Sequence, residues 1–203
     1  MRVIAGSAKG RRLKGPDTLD TRPILDRVKT ALFDILAPDI VDSRFLDLFA
    51  GTGQIGIEAL SRGAGAATFV ELSGEIIRLI RENLAITRLE ANAEVIRADA
   101  FAFLRDAHAR HRQFDIVYVA PPQYQQMAAR ALERLDRAPL SAPGGLVVVQ
   151  IHPRERPDIA AVALTRLCLY DERTYGSTLL MFFEWAADEP TEPAQQTIQE
   201  THP

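Results

Sequence analysis

Residues 44–56, Arg-Phe-Leu-Asp-Leu-Phe-Ala-Gly-Thr-Gly-Gln-Ile-Gly, limit the possible fold more than any other stretch of the chain. Phe45, Leu46, Leu48 and Phe49 predict a short apolar strand over 44–49, and a helix is expected to open at about Gln54. Between them Gly51, Gly53 and Gly56 stand in the spacing G-x-G-x-x-G. The first glycines let the backbone turn tightly and approach a ligand; the last lets helix lie close on strand. Such a turn belongs to a βα unit and hence to a parallel sheet.

Asp47 narrows the ligand. It sits inside the strand, four residues before Gly51, where a phosphate-binding turn gains nothing from a carboxylate. A cofactor carrying an ammonium group does gain. S-adenosylmethionine (SAM) has an amino-acid head, an adenosine and no phosphate. The alternative is an ordinary tight βα turn in which Asp47 caps the loop.

With 203 residues the chain is expected to form one domain, with at most a small appendage. The single cysteine, Cys168, excludes a disulfide framework and a cysteine-based metal site, and its apolar run predicts a buried bystander. The four histidines form no H-x-x-x-H pair, so no metal is expected. No apolar stretch approaches the roughly 18 residues of a membrane span and no signal peptide is evident, so a cytoplasmic protein is expected. The net charge of −3 hides an asymmetry. Residues 1–30 hold eight Lys or Arg against three Asp, or +5, which leaves −8 on the rest. A basic end on an acidic body suggests a polyanion met at the N-terminus, against the plainer reading of solvated charge.

Residues 1–15 predict two short strands around a Gly/Ser/Lys turn, a hairpin carrying Lys9, Arg11, Arg12 and Lys14 that could lie along a phosphate backbone. Thr21-Arg22-Pro23 predicts a helix start, with an apolar face of Leu25, Val28, Leu32, Ile35 and Leu36, and Pro38 as its end. After the central strand and the helix over 54–62, a second strand over 67–71 ends in Glu71, 24 residues after Asp47. That is near the spacing of about 20 expected of a ribose-binding carboxylate, though a helix N-terminal charge would read the same way. A helix over 75–86 and a third strand over 94–98 lead to Asp99, which could accept from an adenine amine, cap the helix over 100–107, or do both. The fourth strand, 115–119, runs directly into Ala120-Pro121-Pro122-Gln123-Tyr124, where two prolines remove two donors and leave bare carbonyls at the sheet edge. A helix over 125–137, a fully buried strand over 145–151, a helix over 154–163 and an antiparallel pair over 166–172 and 178–185 complete the pattern. The acidic stretch 186–203 reads as a disordered tail. Five strand–helix alternations mean a parallel sheet covered on both faces, with ligand bound at the C-terminal strand ends. Asp47, the glycine turn, Glu71, Asp99 and the 120–124 loop all fall at those ends.

The sequence resembles the RsmD-type bacterial methyltransferases, which transfer a methyl group from SAM to the exocyclic N2 of a guanine in 16S ribosomal RNA. The resemblance covers about residues 1–185 and is carried by Arg2-Val-Ile-Ala-Gly6 with Lys9-Gly10-Arg11-Arg12-Leu13, Thr21-Arg22-Pro23 with Arg27-Val28-Lys29, Asp47 through Gly53, Gly56-Ile-Glu58, Phe69-Val-Glu71 and Tyr175-Gly176. It implies a Rossmann-like, class I SAM-dependent methyltransferase: an α/β fold with a seven-stranded, mostly parallel sheet and a C-terminal antiparallel hairpin. Residues 1–22 would form a basic hairpin extension, 23–185 the methyltransferase domain and 186–203 the tail. The resemblance implies SAM at Asp47, Phe49, Gly51, Thr52, Gly53, Glu71, Leu72, Asp99 and Ala100. It implies RNA contact through Lys9, Arg11, Arg12, Arg22, Arg27 and Lys29, and reaction at Ala120, Pro121, Pro122 and Tyr124. The implied partner is 16S rRNA or a small-subunit assembly intermediate, met by a monomer.

One departure matters. The family carries Asp or Asn before the two prolines, and usually an aromatic residue after them. The acid and the first proline's carbonyl accept both hydrogens of the guanine amine and turn its lone pair toward the sulfonium methyl. Ala120 has no acceptor, and Tyr124 has slipped by one place. Losing one such acceptor is commonly worth ~3 kcal/mol, on the order of 10²-fold in rate. A binding protein with weakened or redirected catalysis is therefore the second reading. An NAD-dependent dehydrogenase fits the glycines and Glu71 formally, but no second substrate domain is expected.

Overall fold

The computed structural model describes residues 1–15, 24–140 and 144–186. The expected helix start at Thr21-Arg22-Pro23, and the tail beyond Ala186, lie outside the described residues. Helix α1 runs Asp26–Ile35 and buries Val28, Leu32 and Phe33. Pro38 does not end it. The chain turns at Leu36, and Pro38 enters the first turn of a short α2, Ala37–Ile40, where its missing N–H is no loss.

Strands β1 (Arg44–Asp47), β2 (Ala66–Glu71), β3 (Ala93–Arg97), β4 (Ile116–Val119), β5 (Leu146–Ile151), β6 (Leu167–Tyr175) and β7 (Thr178–Trp185) form a seven-stranded sheet. Its order is β3-β2-β1-β4-β5-β7-β6. Every pairing from β3 through β5 is parallel, whereas β7 is antiparallel to both β5 and β6. The strand order reverses beside β1, so a ligand cleft is expected at the rim above β1 and β4. The helices between parallel strands are α3 (Gln54–Ser61), α4 (Gly74–Thr87), α5 (Ala100–Ala109) and α6 (Met127–Arg137). The helix expected over 154–163 is shorter. A 3₁₀ turn, Pro153–Glu155, precedes α7, Arg156–Ala160, because Pro153 and Pro157 break the run of donors.

Alternation along the strands builds two cores. Phe45, Phe69, Ile116, Tyr118 and Val148 pack on one face with α1 and α3; Leu46, Val70, Val117, Val119 and Val149 pack on the other with α5 and α6. Cys168 is exposed, not buried as expected. It lies on β6, the edge strand, most of whose residues face solvent.

The N-terminal hairpin is packed into the first core instead of standing apart. Its arms are joined by backbone hydrogen bonds around the pairing of Arg2 with Arg12, among them Val3 N to Arg11 O and Leu13 N to Met1 O, and Val3, Ala8 and Leu13 are buried. Glu58 of α3, fully buried, accepts from the N–H groups of Ile4 (2.8 Å) and Ala5 (2.9 Å). The Ser61 hydroxyl accepts from Ala8 N and donates to Ala5 O at 2.6 Å. Gly6 has φ +80°, and a Cβ there would lie 1.6 Å from the Ser61 carbonyl oxygen, so the hairpin approaches α3 only as glycine.

Candidate active site

The glycine turn hangs from two carboxylates. Asp47, the last residue of β1, is buried and accepts from Gly56 N–H at 3.1 Å. Glu71, the last residue of β2, accepts from Gly51 N–H with one oxygen (3.1 Å) and from the Leu72 and Ser73 N–H groups with the other (2.8 Å each). Gly51 and Gly53 both have positive φ, +50° and +76°. A Cβ on Gly51 would meet nothing within 4 Å. A Cβ on Gly56 would lie 2.3 Å from the Phe69 ring, so this glycine lets α3 press onto β2.

Burial raises the Asp47 carboxyl from 3.8 to about 7; the Gly56 hydrogen bond opposes the shift and the charge on Glu71 adds to it. A buried carboxyl of this kind is favoured in its ionised form by a nearby cation.

Around this turn the other candidate residues take separate places. Phe49 is half-buried and meets the Phe101 ring edge-on at 6.3 Å. Leu72, next after Glu71, is 64 % exposed. Asp99 caps α5: one of its oxygens accepts from Phe101 N (3.0 Å) and Ala102 N (2.9 Å). Ala100 is buried behind it. Thr52 is buried and faces the hairpin, its hydroxyl 3.5 Å from Met1 Sδ.

Beyond β4, Ala120 is half-buried and packs on the first core, Pro121 is buried and Pro122 exposed. Tyr124, 60 % exposed, has φ +62° and Gln126 has φ +55°. Non-glycine residues avoid that region, so the loop must be held. Glu155 holds it. Its carboxylate accepts from Tyr124 N at 2.8 Å and from His152 N at 3.2 Å. The His152 ring lies 5.5 Å from the Tyr124 ring.

The expected basic residues divide. Lys9, Arg12 and Arg27 are exposed, and Arg27 reaches the β6–β7 turn at Gly176. That turn rises beside the C-terminal end of β5, where Ile151 pairs with Leu179. Arg11 is half-buried and its guanidinium bonds to the Ile86 carbonyl. Lys29 cannot meet RNA: it is fully buried, its ammonium 3.1 Å from Glu58 and 2.5 Å from the Arg2 carbonyl. Arg22 lies outside the described residues.

The family described as Conserved hypothetical protein 95 matches residues 1–184. The chain belongs to that family. Its relatives include the Ribosomal RNA small subunit methyltransferase D of Escherichia coli K12, 38 % identical over 150 residues, 74 % of each chain. A solved structure of a hypothetical protein from Thermus thermophilus superposes with a TM-score of 0.76 at 34 % identity, covering 91 % of this chain and 99 % of the other. An RNA methyltransferase from Salinibacter ruber, solved with S-adenosyl-L-homocysteine, shares the fold at 16 % identity and a TM-score of 0.62, over 84 % and 98 % of the two chains. The fold of this family member is thus that of the SAM-dependent methyltransferases.

Several residues of the site region escaped the sequence reading. Asn83, fully buried in α4, donates to the Thr52 and Lys14 carbonyls and accepts from Lys14 N, joining hairpin to glycine turn. Glu155 and Gln150 are the others. A lone Gln in the apolar run Leu-Val-Val-Val-Gln-Ile was the one visible signal.

Proposed function

We propose that this protein is a SAM-dependent methyltransferase acting on the exocyclic N2 of a guanine in small-subunit ribosomal RNA, in the cytoplasm. The observation that carries the reading is the pair of acids at the ends of adjacent parallel strands. Asp47 is buried beneath the glycine turn, and Glu71 is fixed to the turn's own backbone. The residues fit a donor with an ammonium head and a ribose. The Glu71 oxygen that accepts from Gly51 N–H keeps a lone pair for a ribose hydroxyl, and Asp47, which accepts one backbone N–H, keeps acceptor capacity for the ammonium. Leu72 and the Asp99–Ala100 corner would border the adenine.

Bound SAM supplies an electrophilic methyl on a sulfonium. The protein's task is to present an amine whose lone pair is otherwise delocalised into the guanine ring. The carbonyl of Pro121, just past the end of β4, would accept one amine hydrogen, and Tyr124, on its strained and tethered loop, offers a ring on which the base stacks. Lys9, Arg12 and Arg27 would meet the phosphate backbone. Among the described residues no helix is long and apolar enough to cross a membrane.

The absence of a side-chain acceptor at Ala120 favours a second reading, in which donor and RNA bind but transfer is slowed. Titration calorimetry with SAM, followed by methyl incorporation into small-subunit particles, tests both. No uptake of SAM overturns the first reading and the second together. Uptake without incorporation, recovered by Ala120→Asp, favours the second.

A further inference from the structure

The missing acceptor has a replacement on the next strand. Asp115 cannot serve, because it sits at the opposite end of β4, clamped to Arg44 at 2.7 Å. Glu155 is buried beneath the loop, its carboxylate turned to the Tyr124 and His152 backbone. Gln123 is exposed on the loop. Gln150 is placed differently. β4 and β5 run parallel in register up to Val119 beside Val149, and continuing that register would set Ala120 beside Gln150, across strands about 5 Å apart. Tyr118, two residues before Ala120, shares its face, and the Tyr118 hydroxyl donates to Gln150 Oε1 at 2.6 Å. The Gln150 side chain therefore lies on the face that carries Ala120. The same face carries Asp47, which pairs in register with Tyr118 from the other side. Gln150 is half-buried, unlike its buried neighbours Val149 and Ile151. An amide oxygen has two lone pairs and Tyr118 takes one.

We propose that the second lone pair of Gln150 Oε1 accepts the guanine-amine hydrogen for which Ala120 offers no acceptor, so that the Tyr118–Gln150 pair replaces the absent acid. This rests on the methyltransferase reading above. The amine is then held between Gln150 and the Pro121 carbonyl, with its lone pair facing the donor methyl.

The test uses the full chain with tritiated SAM and small-subunit particles. Gln150→Leu should lower kcat on the order of 10²-fold while SAM affinity by calorimetry stays as in the wild type. Gln150→Glu, which keeps an acceptor, should retain most of the rate, and Ala120→Asp should restore Gln150→Leu. A Gln150→Leu enzyme within about twofold of wild-type kcat, or one that Ala120→Asp does not improve, overturns the proposal. A second measurement compares binding of guanosine and inosine monophosphate with S-adenosylhomocysteine present, since inosine lacks the amine. Wild type should prefer guanosine and Gln150→Glu should keep that preference, while Gln150→Leu should lose it. If the wild type transfers no methyl, the methyltransferase reading fails by itself. The nucleotide comparison still decides Gln150, and equal binding of the two nucleotides by the wild type overturns its role.

Discussion

Lys29 and Glu58 form an ion pair 3.1 Å apart with essentially no solvent exposure on either side chain. It lies where α1, α3 and the N-terminal hairpin meet. Glu58 also accepts from Ile4 and Ala5 N–H and from the Arg62 guanidinium at 3.0 Å. A buried pair of this kind is costly to break because the survivor is left charged in a dry site. Lys29→Met should therefore destabilise the protein by about 3–5 kcal/mol in urea unfolding. A loss under about 1 kcal/mol would mean that Arg62 alone neutralises Glu58.

The two hairpin glycines make a paired comparison. Gly6 and Gly10 have nearly the same φ, +80° and +81°, but a Cβ on Gly6 strikes the Ser61 carbonyl whereas one on Gly10 meets nothing within 4 Å. Gly10→Ala should cost about 1 kcal/mol from backbone strain alone. Gly6→Ala should cost at least about 3 kcal/mol, because the hairpin must lift from α3. Equal melting temperatures for the two variants would show that the close approach to Ser61 is not tight in solution.

Asp47 gives a signed pH dependence. Its carboxyl is raised from 3.8 to about 7 in the folded chain, chiefly by burial. Between those values the unfolded chain has lost the proton and the folded chain keeps it, so stability falls as pH rises through that window. The full effect is about 4 kcal/mol, complete above pH ~7. A cationic donor favours the ionised form, so SAM affinity should move the other way and tighten from pH 6 to 8. Asp47→Asn should flatten both curves and bind SAM weakly at every pH. Calorimetry across the range checks this, and a pH-independent wild-type affinity would contradict it.

Salt dependence separates the basic residues. Lys9 and Arg12 are exposed and Lys29 is buried. If the hairpin meets phosphate, the double variant Lys9→Ala/Arg12→Ala should reduce the slope of log K against log salt by about 2 for small-subunit RNA. An unchanged slope would move the RNA to another face.

The sheet and its rim were legible because local signals agree. Apolar strands, the glycine spacing and strand-end acids recur with the βα period, and the observed strands lie within two or three residues of their expected bounds. Lys29 was not legible: its partner is 29 residues away on another helix, and no local pattern marks such a pair. Cys168 misled for a related reason. Leu167-Cys168-Leu169-Tyr170 reads as core, but which strand stands at the edge depends on the whole sheet order. The register shift between Leu169 and Asp171 alters the facing further. Asn83 and Glu155 were hidden because they work by binding backbone of distant loops, which polar residues on a helix or turn do not advertise.

The contact between Met1 Sδ and the Thr52 hydroxyl, together with the Asn83 bonds to Lys14 and Thr52, has a practical side. Met1 touches the loop that would cradle the methyl donor. A purification handle fused ahead of Met1 would press on that loop and distort measured donor affinities. β7, antiparallel to β5, delivers the described chain to the opposite rim. The last described residue, Ala186, therefore stands away from that loop.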